Sequence, residues 1–435
     1  MIITGNGEVL GGYVRYGNDA AIVSFGVVSK GDTLQYDGEP RTQDGRWVSW
    51  YGKDGNNFPN EIVRLLTANN INPNILDTKR DFIVGNGICL YKNEYADGKR
   101  QTVLLDPQQH VEIVTWLHNS DFNHEVSKAT KDLLWFGNCF FELIFDKGKR
   151  AHSFRHIDAT TVRAQVKNPK SGRVENYFVS DNWARPTYDE KDPHAKKEGN
   201  NVEIIAAYDA ETPMNGYPKC VMHIKDYVPA YPYYSLPSWY GALNWIKLAN
   251  EIPLWHFRGI QNGYAIRWHI QVPESYFDKF DPQKRNQAKE DLITAMNSWL
   301  RGSENAGKAF VSFVAKHSTE ADQFKITPLD AELNDEAFTA LFEQSNMAMT
   351  SAHGLHPDLA AIQTQGKLSS GSELRNAYLI HLTLHTPHIR RMLLRVLESV
   401  RNLNGWDPTV QFGFENIEVT KLDENPTAHQ SVIAK

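Results

Sequence analysis

Three histidines, His381, His385 and His388, recur at helical spacing near the end of a 435-residue chain. Imidazoles on one helical face are well suited to hold a divalent cation. Pro387 interrupts that face and no carboxylate stands at matching spacing, so no metal is expected there. Acidic residues such as Asp106, Glu112, Glu142 and Asp158 are scattered, and spacing assigns no two of them as acid and base. A carboxylate pair assembled from distant segments stays open as an alternative. The sequence has no GxSxG elbow, no GxxxxGK[ST] phosphate loop and no HExxH. Gly5-Asn6-Gly7 and Gly11-Gly12 lack the preceding strand and following helix of a dinucleotide loop and read as surface turns. The 11 tryptophans would suit sugar stacking, but Trp116, Trp135, Trp239 and Trp245 lie in helical patterns that favour core packing. The expectation is a non-enzymatic protein without a cofactor.

One stretch suggests a different kind of work. Between two helical patterns lies a long segment, 355–372, poor in charge and rich in Gln, Gly and Ser. Loops above about 12 residues inside compact domains are uncommon and often functional. Lys367 is the basic residue of this loop, and Gln363, Gln365, Ser369 and Ser370 surround it. Such a set can make few, weak, sequence-blind phosphate contacts; a plain solvent loop is the alternative reading. Arg375, Arg390, Arg391, Arg395 and Arg401 make the following helix basic, as a solvated face or one paired with neighbouring carboxylates.

Composition sets the outer bounds. A hydrophobic content of 41% and a charged content of 23% describe a globular chain able to bury a sizeable core. The net charge of -6 argues against coating nucleic acid by bulk electrostatics. Cys89, Cys139 and Cys220 are widely spaced, so neither a disulfide framework nor a zinc site is indicated. No signal peptide is visible and no apolar run approaches the ~20 residues of a membrane span. A soluble chain in the reducing cytosol is expected.

The elements that would position the loop are mixed α+β. Residues 1–57 read as strands and turns, including 13–16 and 21–28. From Phe58 the period becomes helical, with Pro59 in the first turn and Ile62, Leu65 and Leu66 as a stripe. Further helices are expected at 74–82, 107–118 and 122–136, the last ended by Gly137-Asn138, with strands at 87–91 and 139–145. A charged excursion, 167–200, is followed by strands up to 226. A helix over 236–262 carries Trp239, Leu243, Ile246, Leu254 and Phe257 as its core stripe and is bent at Pro253. Next comes an inserted module: strand 264–272, helix 281–300 capped by Asp281, and strands 309–314 and 324–329. A helix over 334–353 ends at Gly354, and a long helix over 372–404, bent at Pro387, precedes strand 410–414 and a polar tail.

This order of parts resembles the portal proteins of tailed bacteriophages, of the lambdoid and defective-prophage type. The likeness is carried by 132–143 (Asp-Leu-Leu-Trp-Phe-Gly-Asn-Cys-Phe-Phe-Glu-Leu), His156-Ile157-Asp158 with Val162-Arg163, Tyr234-Ser235-Leu236-Pro237, Asn262-Gly263, His353-Gly354-Leu355-His356-Pro357-Asp358-Leu359 and Gly371-Ser372-Glu373-Leu374. It departs at His356, where an apolar residue is more familiar. The resemblance implies a wing from 1–233, a stem helix at 234–263, a clip at 264–333 and a second stem helix at 334–354. It further implies a tunnel loop at 355–372, a long kinked helix and wing strand at 373–417, and a flexible tail at 418–435. The implied assembly is a ring of about twelve subunits at one capsid vertex, around an axial channel for double-stranded DNA. The implied partners are the large terminase, the major capsid or scaffold protein and the head–tail adaptor, with no membrane. The virion is the implied location, and the host cytoplasm during assembly.

On that implication Gln363, Gln365, Lys367, Ser369 and Ser370 face DNA, and Trp239, Leu243, Ile246, Phe338 and Phe342 belong to the stem. Asp281, Lys284, Arg285 and Lys289 present the clip to terminase or adaptor, and the three C-terminal histidines are solvated or DNA-facing. A portal from a prophage or a gene-transfer particle would share all these features. A carbohydrate-active hydrolase and a non-viral scaffold or nuclease-associated domain are the competing classes.

Overall fold

The computed structural model describes residues 12–16, 19–23, 42–43, 46–50, 56–96, 98–184, 186–187, 201–211, 218–262, 266–300, 308–314, 325–328, 335–362 and 371–418. The chain forms two compact units, 34–247 with 345–435, and 1–33 with 248–344. Of the three chain crossings between them, those at 247/248 and 344/345 fall inside helices, α5 (Leu243–Asn262) and α7 (Asp335–His353).

The larger unit is built on an eight-stranded sheet. Its spatial order is β3 (Thr42–Gln43), β4 (Trp47–Val48), β9 (Val162–Gln165), β10 (Asn176–Val179), β11 (Glu203–Ala207), β12 (Lys219–Lys225), β7 (Asn138–Phe145) and β8 (Ala151–Ile157). β7 is antiparallel to both neighbours and almost continuously buried, as expected of an apolar strand covered on both faces. Helix α4 (Phe122–Phe136) lies against it and buries Phe122, Val126, Ala129 and Leu133 at helical spacing. Gly137 ends α4 at φ +71, and a Cβ there would stand 2.7 Å from the Leu236 carbonyl oxygen. Only glycine permits both the left-handed turn and that close approach. The end of α4 is thereby fastened to the start of the 236–262 segment.

α1 (Phe58–Thr67) and α2 (Ile71–Val84) pack beside α4. α2 starts earlier than expected because Asn69 Oδ1 accepts from the Ile71 and Asn72 amides at 3.1 and 3.0 Å. The helix expected over 107–118 is a separate 3-10 turn, Pro107–Gln109, followed by α3 (Val111–Asn119). Asp106 caps that turn through the Gln108 amide at 2.9 Å. A second, three-stranded sheet has the order β16 (Gln411–Glu415), β5 (Gly87–Ala96), β6 (Lys99–Leu104), so the last strand pairs with one more than 300 residues earlier. The long C-terminal helix is broken rather than bent: α8 (Gly371–Leu384) ends, and α9 (Thr386–Asn404) begins with Pro387 in its first turn. Proline is tolerated there because a first-turn amide needs no helical acceptor.

The smaller unit contains the hairpin β1 (Gly12–Tyr16) and β2 (Asp19–Val23), most of α5, and a three-stranded sheet of order β14 (Lys308–Val314), β13 (Ile266–Pro273), β15 (Lys325–Pro328). Helix α6 (Arg285–Leu300) covers that sheet through a core of Ile270, Val272 and Phe277 with Ala288, Leu292 and Phe313. Asp281 does not cap α6. Its Oδ1 accepts from the Gln283 amide at 3.2 Å, and its carbonyl accepts from the Lys284 amide at 2.8 Å. Pro282 lies within that turn, which delays the helix to Arg285. Among the described residues no helix is long and apolar enough to cross a membrane.

Candidate functional site

The root of the loop is fixed by the end of α7 and by α2. α7 ends at His353, and Gly354 turns left-handed at φ +62. The Gly354 and Leu355 amides return to the Ser351 and Thr350 carbonyls, both at 3.0 Å, closing the helix end. Lys79 Nζ on α2 donates to the His353 carbonyl oxygen at 2.6 Å, a cation at the negative end of the helix dipole. Burial lowers the Lys79 pKa to about 8. Asn74 Nδ2 donates to the Ala360 carbonyl at 2.9 Å, and Ile75 packs with Leu355 and Ala360. Residues 357–360 therefore form a 3-10 turn bound to α2. His356 opens this turn by accepting from the Asp358 amide at 3.4 Å, which gives the unfamiliar histidine a polar task at an exposed position. Gln363, Gln365, Lys367, Ser369 and Ser370 lie outside the described residues. Beyond them α8 is held by Tyr378 and His381 against Phe82, at 4.9 and 5.6 Å between ring centroids, and by the Tyr378 hydroxyl donating to the Ile417 carbonyl at 2.7 Å.

The stem residues separate into two environments. Trp239 sits in a 3-10 turn, Ser238–Ala242, fully buried with its indole N–H on the Leu134 carbonyl at 3.0 Å. Leu243 and Ile246 are buried too, but Trp245 is 39% exposed and not in the core as its pattern suggested. Leu254 and Phe257, expected in the same stripe, are exposed, Phe257 at 58%. Past Lys247, Ala249 and Ile252 are still buried, while Leu254, Trp255 and Phe257 are exposed. There Trp255 stacks on Phe338 at 4.2 Å and His256 meets the same ring edge-on at 5.4 Å, while Phe342 is exposed.

In the inserted module Asp281 and Lys284 are exposed. Arg285 pairs with Asp278 at 3.2 Å. Lys289 pairs with Glu274 at 2.9 Å and lies over the Phe277 and Phe313 rings, so it fastens α6 to its sheet.

The groups considered for chemistry are employed separately. His381 is buried and its pKa is lowered to about 4, chiefly by burial. His385 stacks on it at 5.2 Å, and His388 bonds Asp226 at 3.0 Å. No group of three metal-ligating side chains occurs among the described residues. Buried Glu142 is clasped by Arg155 and by Lys219 at 2.8 Å; Glu112 faces Arg150; Asp158 caps a 3-10 turn. The basic run divides: Arg375, Arg391 and Arg395 are exposed, as on a solvated face, whereas Arg390 and Arg401 turn to backbone carbonyls. Arg390 donates to the Ile83 and Phe82 carbonyls at 2.8 and 2.9 Å, and Arg401 to the Val410 carbonyl at 2.8 Å. Arg390 thereby joins segments about 300 residues apart and Arg401 ties α9 to the turn just beyond it, and helical spacing carried no sign of either task.

No protein-family model matches the sequence, and no curated protein is detectably similar to it. Solved structures do share the fold. A chain in the neck of an empty GTA particle, computed with C6 symmetry, aligns at a TM-score of 0.53 with 14% identity, covering 88% of each chain. A chain in the virion of a native gene transfer agent particle aligns at 0.52 with 14% identity, over 88% of this chain and 87% of the other. A chain in the neck of a native GTA particle, computed with C12 symmetry, aligns at 0.52 with 13% identity, over 87% and 88%. At such identities the likeness establishes the fold: this chain has the mixed α+β architecture found in the necks of gene transfer agent particles.

Proposed function

We propose that this chain is a portal-type subunit: copies close into a ring at one vertex of a particle, around a channel through which double-stranded DNA is packaged and ejected. The observation that carries this reading is the shared fold over 88% of this chain and 88% of a chain in a particle neck, which leaves little of either unmatched. The sequence resemblance to portal proteins points the same way. So do the apolar side chains left exposed on α5, α7 and α8 (Phe257, Phe342, Leu384), since a ring of identical chains must bury complementary faces at every joint. The C6 and C12 symmetries of the neck structures favour a ring of twelve over other closures.

In this reading α5 and α7 are stem legs, and 264–333 is the clip that docks terminase and then the head–tail adaptor. Exposed Asp281 and Lys284 suit that contact better than Arg285 and Lys289, which are held within the module. The wing, 1–233 with 373–417, meets the capsid or scaffold protein. The loop around Lys367 slides along DNA, and its sparse charge is an advantage because strong phosphate pairing would hold the duplex at each step. The role is structural, without catalysis, in the virion and, before that, in the host cytoplasm. That the aligned structures come from gene transfer agents favours a gene-transfer-particle portal as the second reading.

Shortening 363–370 in a particle-producing strain is expected to leave rings intact and reduce DNA retained per particle. Unchanged packaging would remove the loop's role. ATP hydrolysis by the purified chain alone would count against a passive conduit.

A further inference from the structure

Within the larger unit, a cavity of about 260 Å³ lies where the end of α7, the start of α9 and the end of α4 meet. Lys79, His353, Ser238, Ser351, His385 and His388 are on its lining. At ~30 Å³ per water it has room for several waters or one small solute. Lys79 is 6% exposed, and the bond to the His353 carbonyl uses one of the three ammonium protons. Among the described residues no carboxylate pairs with it, so a positive charge is buried without a counter-charge. The carboxylate on the lining, Asp226, is already held by His388 at 3.0 Å.

His353 supplies the complementary half. Its Nε2 lies 3.0 Å from Asn72 Oδ1, while Asn72 Nδ2 is directed at Asn69 Oδ1 and Met349 Sδ. The amide oxygen therefore faces the imidazole, and Nε2 must be the protonated nitrogen. That leaves Nδ1 as an acceptor, and Nδ1 is buried with no partner among the described residues. Burial, reinforced by Lys79, lowers the ring's pKa to about 3, so it stays neutral. The cavity combines a cation in need of an acceptor with a buried lone pair in need of a donor.

The geometry points to a binding site for a protonated oxyanion of the phosphate class, its charged oxygens accepting from Lys79 and its remaining O–H donating to His353 Nδ1. Hydrogen phosphate and phosphomonoesters that keep a proton meet both demands. Sulfate and the phosphodiesters of a DNA backbone carry no proton and leave Nδ1 unmatched. Such a site is distinct from any DNA contact in a channel and stands or falls independently of ring formation.

Calorimetric titration of the full chain tests this with inorganic phosphate, with sulfate at equal ionic strength, and with adenosine monophosphate as a phosphomonoester. Saturable phosphate binding is expected, tighter than sulfate by about tenfold or more, as buried polar sites discriminate. The monoester arm distinguishes a site for free phosphate from one that also admits an ester. Lys79→Met is expected to abolish binding. Should that variant not fold, Met392→Trp, which fills the cavity from its lining, is expected to remove binding while circular dichroism is retained. Equal affinity for sulfate and phosphate, no saturable binding, or undiminished binding in folded Met392→Trp would overturn the assignment and leave a water-filled cavity.

Discussion

Helices α4 and α8 are nearly equal in length, 15 and 14 residues, and both are rich in apolar side chains. α4 spends its apolar surface on folding: Phe122, Val126, Ala129, Leu133 and Leu134 are all buried against α2, β7 and β8. α8 buries Tyr378, His381 and Leu382 but exposes Leu374, Leu379, Ile380 and Leu384, the last two at 55% and 71%. A helix apolar around most of its circumference is built to be enclosed, and the larger unit encloses only one side of α8. The contrast separates surface that stabilises the fold from surface that the proposed ring would cover.

That separation can be broken, or sharpened, by substitution. Phe122→Ala removes a ring packed 4.6 Å from Phe154 and should cost about 3–5 kcal/mol, read by chemical denaturation. Arg390→Met deletes the donors to the end of α2 and should cost about 1.5–3 kcal/mol, with faster amide exchange near Phe82 and Ile83. Acid acts on the same core. His223 and His353 fall from the ordinary 6.5 to about 3, chiefly because burial disfavours the charged ring. The unfolded chain then binds more protons between pH 6.5 and 3, so stability is full above 6.5 and declines as pH falls through that window. The slope approaches about 1.4 kcal/mol per pH unit for each histidine below the unfolded pKa; a flat stability profile from pH 7 to 5 would contradict their burial. Ile380→Gln and Leu384→Gln should change monomer stability least, by within about 0.5 kcal/mol, yet weaken association in sedimentation. Destabilisation on the scale of Phe122→Ala would erase the distinction between the helices.

Much of the framework was legible in the residues because its signals are local. Pro59 opens α1, the stripe from Val126 to Leu133 marks α4, and Gly137 ends it where glycine alone fits. Signals that depend on distant partners were not legible. The burial of Lys79 follows from the end of α7 lying against α2, and Arg390 is engaged by carbonyls about 300 residues away. Helical period marked Leu254 and Phe257 as apolar but could not say whether the chain itself would cover them. Asp281 has the residue type of a cap, yet Pro282 and a local turn claim it first. Of the loop itself, its length and sparse charge were visible in sequence, and its anchorage to Asn74 and Ile75 only in the fold.

Single-particle electron microscopy of the purified chain, with mass photometry across concentration, tests the central claim most directly. The account predicts closed rings of about a dozen copies with an axial opening wide enough for a DNA duplex, lost in Ile380→Gln. A uniform monomer at every concentration, persisting with capsid or scaffold protein present, would contradict it.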